Sequence, residues 1–323
     1  MDFMTTILLI SFVSFILTYL FIPKYIKKAK ETGIVGVDKY KTEKKEVAES
    51  GGITILFGYL SALFLILNFF PEYTVQIFAV ATTALLVAFI GMIDDFYNIS
   101  WRTKTLLPLL AAPPLMVIKA GVTSMYIPFI GLVDFGLIYT IILIPLAITG
   151  AANAVNMVAG YNGLEAGLGI IMFSALSIIG FITNNIIVVL LSLPFALVLL
   201  SFLCYNKYPA RIFPGDSGTF LIGVMLAVIV VLGNMELIGV ILIIPHIFNL
   251  FLYYYGYFKR GAEKTRSERF GSVDKEGYLV VPNRFFLPWL VASFSKITEK
   301  KATYSLYLIE LVFALFAIIL FVL

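Results

Sequence analysis

Of the 23 lysine and arginine residues, all but Lys119 fall in four stretches, 24–51, 94–104, 205–216 and 258–303, set between long apolar segments. Loops retained in the cytoplasm keep Lys and Arg, so charge on one side of a series of apolar segments is a topology signal. Ten segments approach the roughly 20 apolar residues that a spanning helix needs. They are 4–22, 52–70, 74–93, 105–121, 132–150, 164–182, 186–204, 217–233, 237–257 and 304–322. Asp134 and the pair Gly131 and Gly136 blur the start of the fifth. The chain is 61% hydrophobic and 13% charged. Soluble domains hold about 45–50% apolar and about 25% charged residues, so a water-soluble fold is excluded. The net charge of +4 is read as topology, and no nucleic-acid partner is expected.

The expected fold is therefore all-α, a polytopic membrane protein of about ten transmembrane helices forming one domain over 1–323. Residues 4–22 run into Pro23-Lys24 and Lys27-Lys28 without a small-residue cleavage site, which predicts a first spanning helix with the N-terminus outside. The cytoplasmic connections are then 24–51, 94–104, 151–163, 205–216 and 258–303. The third has no basic residue but is rich in Asn and Gly. Outer connections are short, as at Pro71-Glu72-Tyr73, Asn184-Asn185 and Asn234-Met235-Glu236. Within the last cytoplasmic loop, Tyr278 to Val281 reads as a short strand and Phe285 to Phe294 as an amphipathic stretch on the membrane surface.

The polar clusters sit at the same ends as the positive charge, which places the candidate site on the cytoplasmic face. Gly91 to Lys104 ends an apolar helix on two adjacent carboxylates, Asp94 and Asp95. Intramembrane acids usually mark function, although at a helix end a solvated carboxylate is the plainer reading. Successive helical residues diverge, so one can face a cavity while the other orients a neighbour such as Lys104. Asn153 to Gly167 holds Asn153 and Asn156 three apart, hence on one helical face, with Gly160 and Gly163 able to let a ligand approach the backbone. The plain alternative there is a tight interhelical turn. Pro209 to Thr219 places Arg211, Gly215 and Asp216 before an apolar span. Asp216 either caps that helix or supplies an oxygen to a hard cation such as Mg²⁺. Lys41-Thr42 and Glu49 to Gly52 read alone as a charged loop and a helix start. Together the four offer carboxylate and amide oxygens, basic groups and Gly-rich backbone, a set that suits a nucleotide sugar or another diphosphate.

One cysteine, Cys204, excludes an internal disulfide and a thiolate metal cluster. The one histidine, His246, follows Pro245 in an apolar span and is expected to be a neutral, hydrogen-bonded helix residue. The Tyr253 to Tyr255 run reads as an interfacial aromatic belt, and Trp101 as an interface anchor or an acceptor contact.

The segments NAVNMVAGYNGLEAG, DDFYNISWRTKTLLP and PARIFPGD, in their order along the chain, resemble the polyprenyl-phosphate N-acetylhexosamine-1-phosphate transferases. The likeness runs from about residue 33 to 255 and is nearest to the eukaryotic-type branch, which moves GlcNAc-1-phosphate from UDP-GlcNAc to dolichyl phosphate. The resemblance implies Mg²⁺, or Mn²⁺ in its place, bound by Asn156 and Asp216. It implies Asp94, Asp95 and Lys104 at the phosphates and the acceptor as catalytic groups. Glu49, Gly160, Asn162 and Phe213 match its uridine-binding positions, Asn153 joins the substrate-binding set, and Arg266 and Arg269 match its sugar- and diphosphate-gripping loop. Two departures stand out. Ala159-Gly160 replaces the Asp-Gly variants of bacterial phospho-MurNAc-pentapeptide translocases, and no histidine is present in the last loop, which steers the sugar away from MurNAc-pentapeptide. Asn98 stands where many relatives carry a third acid and cannot accept a proton. The implied reaction is attack of the lipid phosphate on the β-phosphorus of UDP-GlcNAc, releasing UMP. A homodimer in the plasma membrane, or in the endoplasmic reticulum for a eukaryotic source, is what relatives lead one to expect. The rival class is a transporter or flippase of lipid-linked or nucleotide sugars, which would place polar residues near the midplane on broken helices. A CDP-alcohol phosphotransferase is disfavoured because its signature is absent.

Overall fold

The computed structural model describes residues 2–97 and 99–322, so the Asn98 reading lies outside the described residues. Helix α1 (Phe3–Glu31) starts on Asp2, whose carboxylate accepts from Thr5 N. It buries Ser11, Ser14 and Thr18, whose hydroxyls each donate to the carbonyl four residues back, so that none of these three is left unpaired in the apolar interior. A two-stranded ribbon follows, β1 (Val35–Val37) antiparallel to β2 (Glu46–Ala48). Helices α2 (Gly52–Phe69) and α3 (Thr74–Tyr97) form the next two crossings.

The fourth expected span is not one helix. It divides into α4 (Trp101–Leu106), a 3₁₀ turn over Leu107–Ala111 and α5 (Pro113–Val117). Pro108, Pro113 and Pro114 remove amide donors and clash with the preceding turn. The segment nevertheless crosses the bundle. Lys104 pairs with Asp216 at one end of α9 (Gly215–Leu232), and Val122 N donates to Asn234 Oδ1 just past its other end, at 2.6 Å. Eighteen helical residues cover about 27 Å, near the thickness of a hydrocarbon core. Irregular backbone is tolerated at that depth because the segment packs against α3 and α6 (Ile144–Val158).

The fifth expected span is shifted. Residues 124–134 form a hairpin, β3 (Ser124–Ile127) with β4 (Gly131–Asp134), and a π turn over Tyr139–Leu143 leads into α6. Helix α6 runs to Val158, so Asn153 and Asn156 lie on its last turns and only residues 159–163 remain as a connection. Helices α7 (Leu164–Ile182), α8 (Ile186–Asn206), α9 and α10 (Glu236–Arg260) follow. The last loop carries α11 (Ala262–Ser267), the ribbon β5 (Ser272–Val273) with β6 (Leu279–Val280), and α12 (Leu287–Ala292), before α13 (Glu299–Val322). The expected strand is β6. The expected surface stretch is instead buried: Leu287, Pro288, Trp289 and Ala292 face inward, and Leu287, Trp289 and Ala292 join Tyr40, Val158 and Tyr161 in a second apolar cluster.

Among the described residues, nine helices are long and apolar enough to cross a membrane; with the proline-broken segment this makes ten crossings. The protein is an all-α integral membrane protein. Helix α9 is apolar on every side and is its centre, with 83% of its spanning window buried against 22% for α13. His246 is buried as expected, but neither ring nitrogen has a hydrogen-bond partner; Glu310 Oε2 lies 3.7 Å away.

Candidate active site

The connections rich in charge converge at one end of the bundle. Ala48 pairs with Ile212, Asn156 O accepts from Arg269 Nη2 at 2.8 Å, and Glu299 bridges Lys41 and the Asn162 amide at 2.5 and 2.7 Å. The short connections meet at the other end, where Asn185 Nδ2 donates to Gly233 O at 2.8 Å.

The start of α9 is wedged between α2 and α3. A Cβ on Gly52 or Gly91 would collide with backbone of Ser217 or Gly218, so glycine is what permits the approach. Gly215 has φ +65°, a conformation that disfavours other residues, and it turns the chain so that the next amides face Asp95. Asp95 accepts from Asp216 N at 2.6 Å, from Ser217 N at 3.4 Å and from Ser217 Oγ at 3.1 Å. The cap of α9 thus comes from α3, and Asp216 is not a cap. Asp95, read from sequence as a catalytic group, is engaged by these bonds and holds the start of α9, with Asp216, in place. Asp95→Ala is expected to cost about 2 kcal/mol of stability together with a drop in kcat. Full stability with total loss of activity, by thermal unfolding and turnover, would instead mark Asp95 as a proton carrier.

Freed from capping, the Asp216 carboxylate meets Lys104 Nζ and Asn156 Nδ2. Asp94, 6% exposed, accepts from Ile99 N at 2.9 Å on one oxygen and pairs with Lys104 Nζ at 2.6 Å on the other. Asn156 Nδ2 also donates to Thr219 Oγ1 at 2.8 Å. One ammonium is therefore bracketed by two carboxylates drawn from α3 and α9, with an amide from α6 beside them. Of the pair, Asp94 is the one on Lys104, while Asp95 faces the start of α9 rather than a cavity.

The other candidates divide. Arg269 reaches the centre, while Arg266 is exposed and lies 5.2 Å from the Trp101 ring. Asn153 ties α6 to the broken segment, donating to Thr105 O at 3.0 Å and Thr149 O at 2.8 Å. Asn162 is a buried tie, its Oδ1 accepting from Ala210 N at 2.8 Å. Phe213 engages through its backbone, which pairs with Ala48 and Gly51. Gly160 lines a small cavity with Tyr40, Tyr161, Arg269 and Trp289. Tyr40, Tyr161 and Trp289 come from three separate loops, with ring centroids 5.3, 5.6 and 5.7 Å apart, and Trp289 Nε1 donates to Arg269 O at 2.8 Å. Sequence reasoning missed Trp289, Glu299 and Thr219. The first two lie in a loop and a helix start with no motif, and Thr219 was read only as part of the Asp216 run.

Glu49 is half-buried near the centre. Burial first, then the neighbouring Asp95 and Asp216, push its carboxyl above the usual range, with Lys39 opposing. Its folded form therefore holds a proton to higher pH than the unfolded chain, so its ionisation lowers stability as pH rises through that window. Glu49→Gln is expected to raise the unfolding temperature at pH 7 and to have no effect at pH values below the ordinary carboxylate range. A melting series across pH checks both.

Asp94, Asp216 and Asn156 fit a hard cation that keeps few protein ligands. Their donors are carboxylate oxygens and an amide that presents its oxygen after half a turn about Cγ. Among the described residues no group of three His, Cys, Asp or Glu could hold a metal ion, so any cation here would take further oxygens from water or phosphate. Lys39, Lys104 and Arg269 supply positive charge around it.

Comparison with known proteins shows what the chain as a whole is similar to. Residues 77–234 match the model of glycosyl transferase family 4. The chain is 37% identical over 319 residues to a putative UDP-N-acetylglucosamine–dolichyl-phosphate N-acetylglucosaminephosphotransferase of Saccharolobus solfataricus, covering 97% of this chain and 96% of the relative. It is 31% identical over 288 residues to the Dictyostelium discoideum enzyme described by that activity, covering 75% and 70%. It is also 31% identical over 258 residues to a phospho-N-acetylmuramoyl-pentapeptide-transferase of Halalkalibacterium halodurans, covering 73% and 76%.

Proposed function

Because the chain belongs to glycosyl transferase family 4, the polyprenyl-phosphate N-acetylhexosamine-1-phosphate transferases, we propose that it transfers GlcNAc-1-phosphate from UDP-GlcNAc to a dolichyl-type polyprenyl phosphate. A lipid phosphate oxygen attacks the β-phosphorus, the bond from that phosphorus to the bridging oxygen breaks, and UMP leaves with the electron pair. The observation that carries the reading is the Asp94–Lys104–Asp216–Asn156 cluster, built from four separate elements at the end where the basic loops meet. The same charge asymmetry supports a cytoplasmic site.

Asp216, with Asn156 and Asp94, would hold Mg²⁺, which when bound offsets negative charge on the diphosphate. Lys104 presents an ammonium beside those carboxylates and would stabilise charge developing on the phosphoryl oxygens. Arg269, fixed through its carbonyl by Trp289 and through its guanidinium by Asn156 O, would orient the sugar diphosphate. Direct attack by the lipid phosphate is preferred over an aspartyl-phosphate intermediate, because a phosphate dianion needs no activation. The transporter reading is disfavoured because the polar cluster lies at one end of the helices rather than part-way along broken ones.

The test is purified full-length protein with radiolabelled UDP-GlcNAc and dolichyl or undecaprenyl phosphate, with Mg²⁺ or a chelator. Labelled lipid that forms with Mg²⁺ and not with chelator is the expected result. No lipid product from folded protein with any UDP-N-acetylhexosamine overturns the transferase reading. UMP exchange into UDP-GlcNAc without a lipid acceptor overturns direct attack.

A further inference from the structure

At the end of the bundle opposite the candidate active site, a cavity of about 220 Å³ opens between the start of α3, the start of α8, the end of α9 and the turn after α5. Tyr73, Gln76, Ile187, Leu232, Lys119 and Asn234 line it. Lys119 is the one basic residue outside the four charged stretches, on the side that such chains keep poor in lysine. It forms no ion pair among the described residues.

The backbone at Lys119 is unusual as well. Lys119 N donates to Met116 O at 3.1 Å and Ala120 N to Leu115 O at 2.9 Å, closing α5 in the hydrogen-bond pattern that places a left-handed residue just after the helix. That residue is normally glycine, yet here it is lysine at φ +50°. Nothing in the helix end requires a lysine, and the strain is retained where the side chain lines a cavity.

The polar lining is weighted to donors. Asn234 uses its Oδ1 on Val122 N, which leaves its amide hydrogens for a ligand. The first-turn amides of α8, whose N-cap Asn185 makes no side-chain capping bond, have no partners within their own helix and add partial positive charge. At the end of α9, the Val230 and Val231 carbonyls accept from Met235 N and Asn234 N, and Gly233 O just beyond accepts from Asn185 Nδ2. The nearby acids do not line the cavity: Glu236 is engaged by the Tyr139 hydroxyl, and Glu72 is exposed to solvent. Val75 and Val122 in its lining are 61% and 53% exposed, an apolar approach suited to a hydrocarbon tail.

We propose that this cavity binds the phosphate headgroup of an anionic lipid from the leaflet opposite the active site, with Lys119 as its main contact. The proposal is independent of the transferase reading. Delipidated full-length protein would be titrated with phosphatidylglycerol, with phosphatidylcholine and with inorganic phosphate, and adducts counted by native mass spectrometry. The expected result is one phosphatidylglycerol adduct favoured over phosphatidylcholine by about tenfold, the effect of one charge-assisted hydrogen bond. That adduct persists in Asp216→Asn, which separates it from a lipid in the active site, and is lost in Lys119→Gln and Lys119→Gly. Lys119→Gly also unfolds at no lower temperature than the wild type, because glycine suits the left-handed position. Equal phosphatidylglycerol binding by the wild type and both variants overturns the site. Displacement of the lipid by millimolar inorganic phosphate would show that free phosphate is the ligand, and would overturn the lipid assignment.

Discussion

Asp216→Asn is expected to lower kcat by at least about 10³-fold while leaving stability within about 1 kcal/mol of the wild type. The two halves of that result have separate causes. Stability is kept because Asp95, not Asp216, caps α9, so the helix start stays hydrogen-bonded. Activity is lost because the substitution removes the charge on which Lys104 converges, and with it the principal anionic donor to a hard cation. Asparagine is a good helix cap, so a merely capping Asp216 would tolerate the change in both respects. Turnover and thermal unfolding on one preparation decide the matter. More than a tenth of wild-type turnover in the variant would remove Asp216 from the proposed chemistry.

Lys104→Gln should act on both activity and stability, and Mg²⁺ should relieve the second effect. Asp94 and Asp216 have side chains only 7% and 21% exposed, so they are poorly screened once the ammonium between them is gone. In chelator the variant is expected to lose about 2–4 kcal/mol of stability, the cost of leaving buried charge uncompensated. Adding Mg²⁺ should raise its unfolding temperature by more than it raises that of the wild type, where the lysine already neutralises these carboxylates. Turnover should still fall by about 10²-fold, because a cation on the carboxylates does not replace the ammonium at the phosphoryl oxygens. If Mg²⁺ leaves the melting temperature of the variant unchanged, the carboxylates do not form a cation site.

The architecture was legible in the chain because membrane insertion acts on local composition. Apolar length places the spans, and the clustering of Lys and Arg at alternate gaps separates the two ends. The exceptions are also local in origin. The prolines at 108, 113 and 114 allow a crossing while denying it a regular helix, and a hydropathy window sees the crossing but not the break. Strand β4 of the hairpin, by contrast, falls at the start of the expected fifth span, where Asp134, Gly131 and Gly136 already blur the pattern. The stretch around Trp289 reads as surface-lying because its apolar face has no visible partner in sequence; that partner is an aromatic pair, Tyr40 and Tyr161, from two distant loops.

The candidate site was legible by membership and not by role. Asp94, Asp95, Lys104, Asn156, Asp216 and Arg269 do come together, but nothing local to the chain tells a cap from a ligand. Asp216 sits in the first turn of α9, where an acidic residue reads as a capping group, and only the approach of α3 across Gly91 hands that task to Asp95. Asn153 and Asn162, alike in sequence to Asn156, are consumed by ties to Thr105 and Ala210. The linear sequence determined which segments cross the bilayer, which ends carry charge and which residue types are available there, since each depends on neighbours a few positions away. Tertiary structure decided which carboxylate is left free, which arginine reaches the centre and which lysine is left unpaired beside a cavity. Those outcomes depend on hydrogen bonds between groups as much as 122 residues apart, and a buried donor or acceptor takes whichever partner the packing of helices brings within reach.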